Sequence, residues 1–199
     1  MTVELLGALA NIITLFVVAI SAVAAVRQLR HYRDANQLQA ILSVVHDFKA
    51  SRLQAALRYV QVELPERMRD EAYRAELTRV GFVDSERHPE MLACNWFNEM
   101  GTLLKNKLVD EATFLDLFDR LTTYYWGLLA PTIALLRHNR GDWQYENFEY
   151  LAAAAARWRA ANPHGRYPRD MRRMPLPEPG VEPEPPGAAS EPSPGLSAF

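Results

Sequence analysis

The sequence has few cysteines to form disulfides, and it lacks the motifs of the commonest metal and catalytic sites. It has one cysteine, Cys94, so it cannot form an intrachain disulfide and shows no adaptation to an oxidising compartment. Its five histidines are scattered, without the His-x-x-x-His or Cys-pair spacing of a zinc site. Glycine-rich phosphate loops and the Gly-x-Ser-x-Gly nucleophile elbow are both absent. We therefore predict no metal, no cofactor and no catalytic residue.

The chain has no large excess of positive or negative charge, because 22 basic and 24 acidic residues leave a net charge of -2. Such a balance argues against nucleic acid as a partner. The chain has 199 residues. Without the apolar N-terminal segment and the proline-rich C-terminal segment, about 135 residues remain, enough for one domain with a single core.

The longest uncharged stretch runs from residue 5 to residue 26 and contains no proline. At a rise of ~1.5 Å per residue it forms a helix of about 33 Å, which matches the ~30 Å hydrocarbon core of a bilayer. We therefore predict a transmembrane anchor at residues 1–26. A cleavable signal peptide is the alternative, but such peptides have a basic start and a shorter apolar core.

The flanks of this stretch differ in charge. Only Glu4 and the amino terminus precede it, whereas Arg27, Arg30 and Arg33 follow it. Since a Lys/Arg bias sets orientation, we expect the N-terminus outside and the body in the cytoplasm, with the three arginines at the membrane surface. Abundant Arg, Ala and Pro are typical of GC-rich bacterial genomes, so we expect the bacterial inner membrane.

Small and polar residues line one side of the anchor helix. They recur at steps of 4, 3, 4, 3 and 4, and we call them the anchor stripe: Gly7, Asn11, Thr14, Val18, Ser21 and Ala25. Lipid offers no hydrogen-bond partner to an amide or a hydroxyl, and small side chains let helices approach closely. This stripe predicts contact with a second copy or with another membrane protein. Alternatively, its small residues are ordinary for a membrane helix, and Asn11 reaches the headgroups.

Beyond the anchor, apolar residues recur at steps of three and four, and no stretch alternates with period two. Residues 27–162 should form an all-α body, an irregular antiparallel bundle of five or six helices. A shift in phase predicts a helix break near residues 49–52. Asp110 predicts a helix start, and Pro131 a kink or break in that helix. Residues 163–199 hold 10 of the 13 prolines and should be a disordered tail.

Three charged residues, Glu99, Arg137 and Glu146, are weak pocket candidates. Glu99 follows Trp96 on an apolar helix, whereas the other two stand near helix ends. One interpretation is that Arg137 pairs with a carboxylate, such as that of Glu146 or Glu149, at the edge of the core. The other is an acidic pocket for a cationic ligand.

Three segments resemble an uncharacterised bacterial family, a domain of unknown function: WFNEMGTLLKNKLVDE (96–111), YWGLLAPTIALLR (125–137) and YENFEYLAAAAARW (145–158). The resemblance spans residues 27 to 159. It implies one N-terminal membrane helix and a small helical domain, with no activity attached. Its most recognisable positions are Trp96, Phe97, Glu99, Gly101, Tyr125, Trp126, Pro131, Arg137, Tyr145, Phe148 and Leu151.

Two functions fit this sequence. The first is a membrane-anchored binding module, an accessory or scaffolding subunit of a membrane protein assembly. The second is an enzyme at the cytoplasmic membrane face that uses Glu99, Arg137 and Glu146. The lack of catalytic spacing favours the first.

Overall fold

The computed structural model describes residues 2–79, 81 and 83–176, with the side chains of residues 2–6, 8–13 and 34 left out. The described chain is all-helical, with 75% helix and no strand, as predicted. Seven helices follow one another in this part of the chain: α1 (Thr2–Phe48), α2 (Ser51–Val62), α3 (Leu64–Arg67), α4 (Glu71–Thr78), α5 (Glu90–Lys105), α6 (Glu111–Arg140) and α7 (Glu146–Ala161).

Helix α1 contains the predicted anchor and continues well beyond it. Its stretch Thr14–Phe48 is long and apolar enough to cross a membrane, by length and composition, although an N-terminal signal sequence passes the same test. None of its most apolar window is buried against the body. Contact with the body comes from the last turns of α1, where Ile41 and Val44 are buried and Phe48 is partly buried. Most of the described side chains of α1 are therefore not covered by the body.

The break between α1 and α2 falls where the shift in phase predicts it. Helix α1 ends at Phe48 and α2 begins at Ser51. The carbonyl oxygen of Phe48 accepts a hydrogen bond from Gln54 Nε2 at 2.5 Å. Because the last carbonyls of a helix have no partner within that helix, this bond stabilises the end of α1.

The core of the body lies between α5, α6 and α7. The rings of Phe97 and Phe148 stack with 4.6 Å between centroids, and Trp126 meets Phe148 edge-on at 5.0 Å. The backbones of α5 and α7 approach so closely at Gly101 that a Cβ there would overlap the carbonyl group of Asn147. This glycine therefore fixes the spacing between the two helices.

Helix α6 begins as predicted and continues through Pro131. Asp110 caps it, because its Oδ1 accepts a hydrogen bond from the Thr113 backbone N at 2.8 Å. The helix then runs through Pro131 to Arg140, so the proline does not break it, and the kink that was the other predicted outcome stays a prediction. Leu129 and Ile133 flank the proline and are buried in the core, which holds the helix together where one backbone hydrogen bond is missing.

The chain divides into two units, Met1–Gly165 and Arg166–Phe199. In the described part of the second unit, Tyr167 donates a hydrogen bond to the Arg172 carbonyl oxygen at 3.2 Å. The guanidinium carbon of Arg173 lies 4.6 Å from the Tyr167 ring centroid. Most of the predicted disorder falls on residues 177–199, which lie outside the described residues, and the predicted domain limits at 26/27 and 162/163 stay predictions.

Candidate functional site

Arg137 joins the end of α6 to the start of α7. Its Nε donates a hydrogen bond to the Gln144 carbonyl oxygen at 2.9 Å, and its Nη2 lies 2.8 Å from Glu149 Oε2. This is the ion pair at the edge of the core that one interpretation of the sequence predicts. The guanidinium is therefore engaged on two sides by the protein itself.

Glu146 and Glu99 have different surroundings from Arg137 and from each other. Glu146 is exposed and lies 3.4 Å from Lys105 Nζ. Glu99 is exposed on α5 and lines a cavity that neither Arg137 nor Glu146 lines. The structure therefore does not bring the three candidates together.

The cavity at Glu99 has a volume of about 310 Å³. It lies where the end of α1, the start of α2 and one side of α5 meet, and we call it the hinge cavity. Its lining consists of Asp47, Ala50, Arg52, Leu53, Leu92, Asn95, Trp96 and Glu99. Asp47, Arg52 and Glu99 are exposed, and within the part of the chain that the structure describes none of them forms an ion pair.

Trp96 forms an aromatic wall of the hinge cavity. Its ring centroid lies 5.5 Å from that of Phe48 and 4.9 Å from that of Phe97, so α1 and α5 hold it in place together. The residue is only 7% exposed. Its Nε1 is buried and finds no acceptor among the described atoms, so the indole keeps an unused hydrogen-bond donor.

A second cluster, which the sequence did not predict, is buried at the start of α5. The side chains of His88 and Glu90 are 3% and 0% exposed, with 3.0 Å between His88 Nδ1 and Glu90 Oε1. The same Glu90 oxygen accepts a hydrogen bond from the Tyr73 hydroxyl at 2.6 Å. Since Tyr73 has only one proton to give, Tyr59 must be the donor in the 3.1 Å contact between the two hydroxyls.

The cluster reaches the surface through Glu76. His88 Nε2 lies 3.1 Å from Glu76 Oε2, and Arg87 Nη2 lies 2.9 Å from Glu76 Oε1. Both imidazole nitrogens therefore face carboxylate oxygens, which accept hydrogen bonds when ionised. A neutral imidazole has a single N–H, so satisfying both contacts requires an additional proton on the ring or on one of the carboxyl groups.

The electrostatic effect of this cluster is seen on its neighbours. Burial, followed by the hydrogen bond to Glu90, raises the pKa of the Tyr73 hydroxyl far above its usual value of 10.0. Burial first and the charge of Glu90 second raise the pKa of the Cys94 thiol above its usual value of 9.0. Cys94 is thus a protonated, fully buried packing residue, as its position on a core helix suggests.

The Tyr59, Tyr73 and Glu76 side chains also line a polar cavity of about 510 Å³. Glu90, however, has no solvent-exposed surface that a substrate could contact. The cluster can therefore hold α2, α4 and α5 together through shared protons, but its central carboxylate is not placed for acid–base chemistry on a ligand. Among residues 2–79, 81 and 83–176, no group of three or more His, Cys, Asp and Glu side chains could hold a metal ion.

A signal for Glu90 is present in the sequence. The buried face of α5 follows steps of 4, 3, 4 and 3 through Glu90, Cys94, Phe97, Gly101 and Leu104. A carboxylate in register with a core stripe indicates a buried charge that needs partners. Its partner on α4, Tyr73, and the Tyr59 hydroxyl of α2 that contacts Tyr73 are not readable in the same way, because they come from other helices.

Comparison with known protein families gives a match. A family model described as "Domain of unknown function (DUF4760)" matches residues 15–158, from within α1 to the last turn of α7. Neither curated proteins nor solved structures match the chain.

Proposed function

Because the chain belongs to the DUF4760 family, which has no assigned function, we propose a function from the geometry: a single-pass membrane protein whose helical body is a binding module at the cytoplasmic face. The observation that carries the proposal is the apolar surface of α1, which the body leaves uncovered. Leu15, Phe16 and Ile20 are 70%, 65% and 66% exposed. Exposed apolar area costs about 25 cal/mol per Å², and a bilayer removes that cost.

The charges that follow this surface support a cytoplasmic body. Arg27, Arg30 and Arg33 are all exposed on α1, directly after the apolar stretch. Basic residues near an anionic leaflet each contribute about 1 kcal/mol of attraction. We place the body on the side of these arginines, which for a bacterial inner membrane is the cytoplasm.

The anchor stripe is the proposed contact with a second copy or with another membrane protein. Gly7, Ser21 and Ala25 are exposed on α1, which leaves room for a neighbouring helix. The side chain of Asn11 is outside the described part, and Thr14 already has an interaction within the chain. Such contact would make the protein an accessory or scaffolding subunit. The enzyme alternative gains no support, since Glu99, Arg137 and Glu146 occupy three separate environments.

A reporter fused after Phe199 tests the topology. Green fluorescent protein at this point should fluoresce, and alkaline phosphatase should be inactive, because both report a cytoplasmic C-terminus. Changing Arg27, Arg30 and Arg33 to Glu should weaken or invert the orientation. The matched control changes Arg166, Arg169 and Arg172 to Glu, which alters the same charge far from the span in sequence. Active phosphatase on the unaltered chain would overturn the proposal.

Crosslinking in membranes tests the anchor stripe. Asn11→Leu with Ser21→Leu should abolish association, because both changes fill the small, polar side of the helix. Ile13→Leu with Ile20→Leu alters the opposite side and should leave association intact. Equal association of the two double variants would rule the stripe out.

A further inference from the structure

We propose that the hinge cavity binds a peptide segment of a partner protein in which an apolar residue lies next to Lys or Arg. The proposal deepens the function proposed above, since it gives the binding module a site and a class of partner. It rests on the walls of the cavity, on the charges at its rim and on its position along α1.

The walls fit one apolar side chain of a peptide. Leu53, Leu92 and Trp96 supply apolar surface from α2 and α5. A volume of about 310 Å³ is at the small end of ligand sites, which span roughly 300–1,000 Å³. The cavity is thus sized for an anchoring side chain rather than for a large cofactor.

The rim selects a positive charge. Asp47 and Glu99 both line the cavity, and neither is paired with a base in the described chain. Arg52 is the one basic lining residue, so the lining carries two negative charges against one positive charge. A basic residue of the partner complements this rim.

Trp96 adds one further point of recognition. It lines the cavity, and an indole ring attracts Lys and Arg more strongly than any other aromatic side chain does. A segment in which an apolar residue lies next to Lys or Arg therefore matches the site better than a purely apolar segment does.

The position of the cavity argues against lipid as the occupant. Asp47 lies in the last turn of α1, 21 residues after Val26, where the apolar stretch ends. At ~1.5 Å per residue, an uninterrupted helix carries the cavity up to about 30 Å from the end of the span. Acyl chains do not extend that far, whereas a partner in the same assembly does.

Peptide titration of the isotope-labelled full chain in detergent micelles tests the proposal. The peptide acetyl-Gly-Lys-Leu-Gly-amide should shift the indole N–H resonance of Trp96, assigned with Trp96→Phe, and leave the other three indoles unshifted. Two matched peptides change one feature each: Glu replaces Lys in the first, and Gly replaces Leu in the second. Both should bind at least several-fold more weakly. Equal shifts by all three peptides, or no shift of Trp96 at millimolar concentration, would overturn the proposal.

Charge variants of the rim should change the Kd in opposite directions, which a merely structural role of these residues would not produce. Asp47→Asn and Glu99→Gln should each raise the Kd about two- to fivefold, the usual range for an exposed ion pair. Arg52→Gln should lower the Kd by a similar factor, because it removes the cation that competes with the peptide. Asp116→Asn, on the exposed side of α6, is the control and should change nothing. Weaker binding by Arg52→Gln, or unchanged binding by both acidic variants, would contradict the proposed rim.

These outcomes are separate from those of the topology experiment. A reporter result that contradicts the membrane anchor leaves the peptide titration interpretable, because the titration measures the resonance of Trp96 directly. Failure of every peptide, with a cytoplasmic reporter, would leave an anchored protein whose hinge cavity is not its docking site.

Discussion

His88 and Glu90 face each other across 3.0 Å in the interior of the body, two residues apart in the chain. The contact joins the loop before α5 to the first turn of α5, and the Tyr73 hydroxyl joins α4 to the same carboxylate oxygen. An acidic side chain in the first turn is also favourable for the helix dipole. The stability of this end of the body therefore depends on one buried carboxylate.

Glu90→Ala should lower the free energy of unfolding by about 3–5 kcal/mol, because it leaves the donors of Tyr73 and His88 without their acceptor in a buried site. Glu86→Ala, on the exposed loop, should stay within about 0.5 kcal/mol. Urea unfolding of the full chain in micelles, followed by tryptophan fluorescence, measures both changes. Equal small losses would show that the cluster contributes little.

Alkaline pH should destabilise the body. Burial raises the pKa of Tyr73, Tyr145 and Cys94 in the folded chain above the usual values of 10.0, 10.0 and 9.0. The unfolded chain therefore loses these protons first as the pH rises, and the folded chain holds more protons. Stability is fully present below about pH 9 and is lost as the pH rises from there towards the folded pKa values.

The melting temperature between about pH 8 and about pH 11 measures this loss, together with tyrosinate absorbance. The absorbance of the buried tyrosines should appear only with unfolding. Full ionisation of every tyrosine in a still folded chain would contradict the burial of Tyr73 and Tyr145. A melting temperature that stays constant over this range would contradict the raised pKa values.

The sequence predicts the helices better than it predicts their contacts. Local features such as the phase shift near residue 49 and the Asp110 cap depend on neighbours in the chain, so they are readable and correct. Pro131 does not break α6, because the buried flanks of the helix outweigh the local cost of one missing hydrogen bond. Of the two partners of Glu90, His88 is close in the chain, but Tyr73, 17 residues away, has no marker in the sequence that assigns it to a carboxylate.

Replacing either of two helical glycines with alanine should change the stability of the body, but in opposite directions. Gly101→Ala should destabilise the body by at least about 1–3 kcal/mol, because the new Cβ meets the backbone of Asn147 and the two helices must separate. Gly127→Ala meets no described atom within 4 Å and should stabilise α6 by about 0.5–1 kcal/mol, since alanine loses less entropy in a helix. Thermal unfolding of both variants makes the comparison. An unchanged stability of Gly101→Ala would contradict the close approach of α5 and α7.

Arg137 should contribute more to stability than its ion-pair partner does. The arginine also hydrogen bonds to the Gln144 carbonyl in the turn between α6 and α7, where Gly141 and Tyr145 have φ values of 93° and 58°. Arg137→Gln loses this charged hydrogen bond and should cost about 1.5–3 kcal/mol. Glu149→Gln loses only the ion pair, whose carboxylate is 54% exposed, and should cost less than about 1 kcal/mol.

Salt separates the two contributions of Arg137. At an ionic strength of about 1 M the Debye length falls to about 3 Å, so the cost of Glu149→Gln should nearly vanish. Most of the cost of Arg137→Gln should remain, because its bond to the Gln144 carbonyl is a short, directed contact in a side chain that is only 20% exposed. Urea unfolding of the two variants at low and high salt makes the measurement. If both costs fell together with salt, the ion pair rather than the turn would be what Arg137 stabilises.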